Sequence, residues 1–168
     1  LTSCSSNSNL PFNQGFVPGC TGINTSGIST NELLMDCLDG SRAVNFYAIK
    51  GPIVVNVWGS WCEGCRQEMP YFVELYQSQR FKSGEIKLLG IDIEESSRQV
   101  GVDFIKAYGM SWPHLEDITG KTKTLFGPGA PVTWVNDKNG MVLSKNISAY
   151  TDRDQLFTQI EKAFGVRL

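Results

Sequence analysis

The run Ile53-Val54-Val55-Asn56-Val57-Trp58 is apolar and β-branched without alternation, so a strand here turns oily side chains toward both of its faces. Such a strand is stable only inside a sheet that is covered on each side. The chain is thereby limited to an α/β architecture with this strand at the middle of the sheet. Directly after it, Trp61-Cys62-Glu63-Gly64-Cys65 opens a stretch in which Met69, Phe72, Val73 and Tyr76 recur at helical spacing. Two thiols therefore stand where a strand hands over to a helix. Unsatisfied N–H groups and roughly +0.5 of a charge at a helix N-terminus favour a thiolate there, the species that attacks disulfides. Pro70 removes one helical hydrogen bond and bends the same helix.

Around this unit the pattern alternates. Leu33 to Leu38, the Asp39-Gly40 turn and Ala43 to Phe46 predict an N-terminal hairpin. Ile86 to Ile93 predicts a strand and Ser97 to Tyr108 a helix, which is a βαβ rhythm. A short helix is expected over Lys121 to Phe126, and the breaker Gly127-Pro128-Gly129-Ala130-Pro131 leads into a strand from Val132 to Asn136. Asn139-Gly140 then turns the chain into Met141 to Ile147. A last helix, capped by Thr151, presents Leu156, Phe157, Ile160, Ala163 and Phe164 to the sheet. Residues 1–30, rich in Ser, Asn, Gly and Thr, read as a leader or spacer, and residues 31–168 as one domain.

A chain of 168 residues buries about 70% of its unfolded surface and does not need disulfides merely to fold, so its five cysteines need another reason. With Cys62 and Cys65 as the reactive pair, Cys20 and Cys37 remain as candidates for a second, structural pair, whose loop would be worth on the order of 3 kcal/mol, and the sequence leaves their pairing open. Structural disulfides belong to oxidising compartments. Cys4 is left over, and Leu1-Thr2-Ser3-Cys4 resembles the end of a bacterial lipobox, which would make Cys4 a lipidated residue. No apolar stretch approaches a membrane-spanning length, so membrane attachment would come through that anchor alone. Net charge is −2 with no long run of either sign, which excludes a nucleic-acid footprint.

The chain resembles the thioredoxin superfamily, and within it the TlpA/ResA/DsbE-like extracytoplasmic thiol–disulfide oxidoreductases. Three blocks carry the resemblance: Val54 through Pro70; Gly90-Ile91-Asp92 with the helix after it and Trp112-Pro113-His114-Leu115-Glu116-Asp117; and Gly129-Ala130-Pro131-Val132-Thr133. The resemblance implies a thioredoxin-like α/β fold, a central mixed β-sheet flanked by helices, with the N-terminal β-hairpin and a βα insertion. It makes Cys62 the exposed attacking thiol, Cys65 the partly buried resolving thiol, and Pro131 a cis-proline beside them. Ala130 would offer backbone groups to a substrate strand. Trp61, Glu63 and Gly64 border the groove, although Trp61 fits core packing equally well. Glu68 matches a glutamate that serves the resolving cysteine, and it lies one turn beyond Cys65 on the same helical face. The alternative is an exposed helix glutamate.

Glu63 opposes thiolate formation at Cys62 and Arg66 offsets part of that effect, so the redox poise is expected nearer about −270 mV than about −120 mV. By resemblance the protein reduces disulfides of exported proteins, apocytochrome c among them in cytochrome c maturation, as a monomer at the extracytoplasmic face of the membrane or secreted. A CcdA/DsbD-like membrane donor would recharge it, and no cofactor is implied. Oxidation or isomerisation of exported disulfides is the enzymatic alternative, and copper delivery on the same fold the non-enzymatic one. A zinc site finds no second cysteine pair to complete it, and His114, the single histidine, reads as a packing or surface residue rather than a metal ligand. A peroxidase lacks its cysteine in a Pro-Thr-Cys setting.

Overall fold

The computed structural model describes residues 17–168, so the expectation for Cys4 lies outside the described residues. In chain order the elements are β1 (Leu34–Cys37), β2 (Ala43–Asn45), β3 (Ile53–Trp58), α1 (Glu63–Gln77), α2 (Gln79–Lys82), β4 (Lys87–Ile93), α3 (Arg98–Tyr108), β5 (His114–Asp117), α4 (Lys123–Phe126), β6 (Val132–Asn136), β7 (Val142–Asn146) and α5 (Arg153–Phe164). The strands form one mixed sheet in the order β2-β1-β5-β4-β3-β6-β7. Strand β4 runs parallel to β3 and β5, and the other pairings are antiparallel.

All six residues of β3 are buried. Val54 and Trp58 point to one face, where α1, α3 and α5 contribute Met69, Phe72, Phe104, Ile105, Leu156 and Ile160. Ile53, Val55 and Val57 point to the other, where they meet Phe126 of α4 and residues of the hairpin and the N-terminal segment. Burying a side chain such as Phe72 or Leu75 of α1 contributes about 2–3 kcal/mol, so this helix is held far more by its inner face than by propensity. The middle position of the sheet belongs to β4 rather than to β3, which lies next to it. Both strands are equally oily on two faces, and the sequence pattern does not distinguish them.

Strand β5 was not legible as a strand, because His-Leu-Glu-Asp is short and polar. It becomes one by completing the hydrogen bonds of both β4 and β1. Its first residue, His114, needs Gly90 opposite it, where a Cβ would run into the imidazole. Trp58 Nε1 donates to His114 Nδ1 at 3.1 Å, and burial pushes the ring down to about 3, so His114 is a neutral packing residue. At α5 the N-cap is Asp152, which accepts from the Gln155 N–H, and not Thr151.

The fold also begins earlier than residue 31. Cys20 and Ile23 are buried, Asn24 bridges to Lys50, and Cys20 is bonded to Cys37 of β1. A segment without periodicity is tethered covalently and so reads as a spacer in sequence. The disulfide spans a separation of 17 residues. Replacing both cysteines by alanine is expected to lower stability by about 3 kcal/mol and the melting temperature by roughly 10 °C. Calorimetry at non-reducing pH 7 checks this, and an unchanged melting temperature would show that the segment is held by packing alone.

Candidate active site

Strand β3 ends at Trp58, Gly59 turns the chain, and α1 starts at Glu63 with Cys62 as its N-cap. The Cys62 sulfur accepts the backbone N–H of Cys65 at 3.1 Å. One of the orphan donors of the helix is thus aimed at this sulfur, and the same bond stabilises a thiolate when the pair is reduced. Cys62 and Cys65 are joined in a disulfide with Cα atoms 5.2 Å apart.

Cys62 is less open than expected: 5% of it is exposed against 0% of Cys65. The bond to Cys65 and the Cys65 N–H hold Cys62 at the first turn of α1, within the buried cluster that includes Trp58, Cys65 and Met69. Cys62 nonetheless remains the one residue of the pair with any exposure. Trp61 is 47% exposed while its Nε1 donates to the Ile93 carbonyl at 3.1 Å, so the ring is a rim held by its polar edge and not a core residue.

The sheet supplies the other wall. The Ala130–Pro131 peptide is cis, and a Cβ on Gly64 would lie 3.4 Å from Pro131 Cδ and 3.1 Å from the Ala149 methyl. Gly64 therefore allows the loop before β6 to sit directly against the first turn of α1, with Ala130 half-buried between the two. Glu63 points into solvent and pairs with Arg66 at 3.6 Å, and Arg66 also donates to the Ser60 carbonyl. That pairing places a cation beside the acidic residue and reduces its influence on Cys62.

Glu68 is wholly buried, which removes the reading as an exposed helix glutamate. Its Oε1 accepts from Asn56 Nδ2 at 3.0 Å and its Oε2 from the Tyr150 N–H at 3.0 Å. Asn56 in turn reaches Thr133, its register partner on β6. Burial outweighs these two donors and pushes the Glu68 carboxyl up to about 7. A carboxyl at that value, one helical turn beyond Cys65, can exchange a proton near neutral pH.

Cys20 and Cys37 are not part of this arrangement. They belong to the core on the opposite face of the sheet from Cys62 and Cys65. Sequence reasoning missed Ser60, Asp92 and Glu95, which lie buried or half-buried, with Ser60 two residues before Cys62 bonded to Glu95. The signal for Asp92 was its place between Ile91 and Ile93, a carboxyl where the strand pattern asks for an apolar residue. Among the described residues no three His, Cys, Asp or Glu side chains converge as a metal site, and no helix is long and apolar enough to cross a membrane.

Comparison with known proteins bears on the same residues. The profile of the AhpC/TSA family matches residues 31–145. The thiol-disulfide oxidoreductase ResA of Bacillus anthracis is 29% identical over 151 residues, which is 89% of this chain and 84% of that protein. Among solved structures, a DsbF homologue from Corynebacterium diphtheriae is 28% identical, covers 78% of this chain and 83% of its own, and superposes with a TM-score of 0.63. An exposed lipoprotein thioredoxin of Streptococcus pneumoniae shares the fold at 19% identity, with a TM-score of 0.62 over 79% of this chain and 99% of its own.

Proposed function

The chain belongs to the AhpC/TSA family, and from that premise we propose that it is an extracytoplasmic thiol–disulfide oxidoreductase that works through the Cys62/Cys65 pair and reduces disulfides of exported proteins. The observation that carries this reading is the pair itself, bonded at the N-terminus of α1 with Cys62 as N-cap. In the reductive cycle the Cys62 thiolate attacks a substrate disulfide, forming a Cys62–substrate bond, and the departing substrate sulfur takes a proton. Cys65 then gives its proton to Glu68 and attacks Cys62. The Cys62–Cys65 bond closes, and the second substrate sulfur leaves and takes the Cys65 proton back from Glu68. Two electrons have thus passed from the pair to the substrate, with one proton from Cys65 and one from solvent, where Cys62 left its own on ionising.

The groove for an extended substrate is formed by Trp61, Gly64, Ala130 and Pro131, where the backbone of Ala130 serves as the pairing edge. Glu63, on the solvent side, borders it. Apocytochrome c fits as a substrate and a CcdA/DsbD-type membrane protein as electron donor, both by family resemblance. Lipidation at Cys4 is the anchor that the lipobox-like start supports, and the protein works as a monomer. The direction is tested by equilibrating the pair with glutathione. The expected potential lies near about −270 mV, and a value near about −120 mV would make the protein an oxidant instead.

A further inference from the structure

The segment leading into Cys62 is held by the end of β4 and the loop after it as well as by α1. Ser60 donates its N–H and its hydroxyl to the two oxygens of Glu95, the hydroxyl at 2.7 Å, and its carbonyl accepts from Arg66. Trp61 is tied to Ile93, the last residue of β4. The turn that carries the attacking sulfur is thus docked on residues 93–95.

Behind Glu95 stands a carboxyl in the opposite situation. Asp92, at the end of β4, is 2% exposed, and neither of its oxygens receives a hydrogen bond. Helix α3 closes on it so tightly at Gly101 that a Cβ there would run into Oδ2. Two ionised carboxylates here would both be desolvated and would repel each other, while donors reach only one of them. A proton on Asp92 removes the conflict. The resulting O–H could be given to Glu95, the carboxyl that acts on Asp92, and each Glu95 oxygen has lone pairs enough to keep its bond from Ser60 as well.

We propose that Asp92 and Glu95 are a positioning pair for the redox turn, in which a single proton kept on Asp92 holds Glu95 in place and Glu95 holds Ser60 and the approach to Cys62. The charged surroundings support this. Burial first, then Glu95 and then Glu116 on β5 keep the Asp92 proton bound up to about 9. The nearby cation of α3, Arg98, is occupied by both oxygens of Glu116 and by Asp36, and Arg66 of α1 faces Ser60 and Glu63. Neither is paired with Asp92. When the proton leaves at alkaline pH, two adjacent anions push apart and the grip on Ser60 loosens.

The positioning role rests on the oxidoreductase reading of Cys62, whereas the protonation state does not, so two measurements separate them. In the oxidised full chain at neutral pH, the infrared difference between wild type and Asp92→Asn should contain the carbonyl stretch of a protonated carboxyl group. Its absence would overturn the shared proton whether or not the protein is an enzyme. In the reduced protein, the rate of attack on 5,5′-dithiobis(2-nitrobenzoate) should rise as the thiol ionises and then fall about fivefold above about pH 9, the scale of a turn left weakly held. Asp92→Asn carries an amide N–H that cannot be lost, so its profile should show no alkaline fall. A variant profile that keeps the fall would overturn the positioning role. Should Asp92→Asn fold poorly, Glu95→Gln removes the neighbouring charge, and the Asp92 carboxyl band should then titrate about one pH unit lower or more. An unmoved titration there would equally contradict the pair.

Discussion

Cys62→Ser is expected to abolish disulfide reduction, lowering insulin-reduction turnover by at least about a thousandfold, because the nucleophile of the first step is gone. The effect follows from the geometry on each side of the pair. Cys62 keeps 5% of its surface exposed and accepts the Cys65 N–H, whereas Cys65 is fully covered. A serine hydroxyl at the same N-cap position keeps that hydrogen bond, so the helix should stay formed and the loss should be chemical rather than structural. Cys65→Ser behaves differently: the first attack survives and the cycle stops at the mixed disulfide. If Cys62→Ser retained a substantial fraction of turnover, the activity would belong to another thiol. Cys20 and Cys37 are buried in a bond on the opposite face of the sheet and are poor candidates for that role.

Glu68→Gln is expected to lower turnover by about a hundredfold at neutral pH and to flatten the pH profile around 7. The substitution keeps the size of the side chain and an oxygen for the Asn56 or Tyr150 donor, but cannot take a proton from Cys65. Its effect on stability has the opposite sign. Burial raises Glu68 from its ordinary value of 4.5 to about 7, so the folded protein binds a proton there that the unfolded chain has lost. The contribution of Glu68 to stability is therefore fullest below 4.5 and is lost as pH rises through about 7. Glutamine carries no such penalty, and its melting temperature should fall less between about pH 5 and about pH 8 than that of the wild type. A variant that lost stability at every pH while keeping its turnover would identify Glu68 as a packing residue only.

The parts that were legible in the sequence are those in which local pattern and global position agree. The doubly apolar strand Ile53–Trp58, the N-terminal hairpin, the redox helix with Pro70 inside it and the Asn139-Gly140 turn all appear near the expected residues. Glu68 was legible as chemistry but not as environment: its burial depends on Asn56 from β3 and Tyr150 from the approach to α5, which no local window connects. The openness of Cys62 was expected from the family resemblance, and its helix-end position speaks to electrostatics and not to cover. Strand β5 and the residues around Cys20 were illegible for one reason. Their structure comes from partners distant in sequence, a register with β1 and β4 in one case and a covalent bond to Cys37 in the other.

The most direct test of the account is the identity of the sulfur that enters the mixed disulfide. Reduced Cys65→Ser and reduced Cys62→Ser are each mixed with a disulfide-bonded peptide, and the rate of adduct formation is followed by intact mass. The account predicts that Cys65→Ser forms its adduct on Cys62 at least about a hundredfold faster than Cys62→Ser forms one on Cys65. Equal rates, or a faster reaction at Cys65, would contradict it.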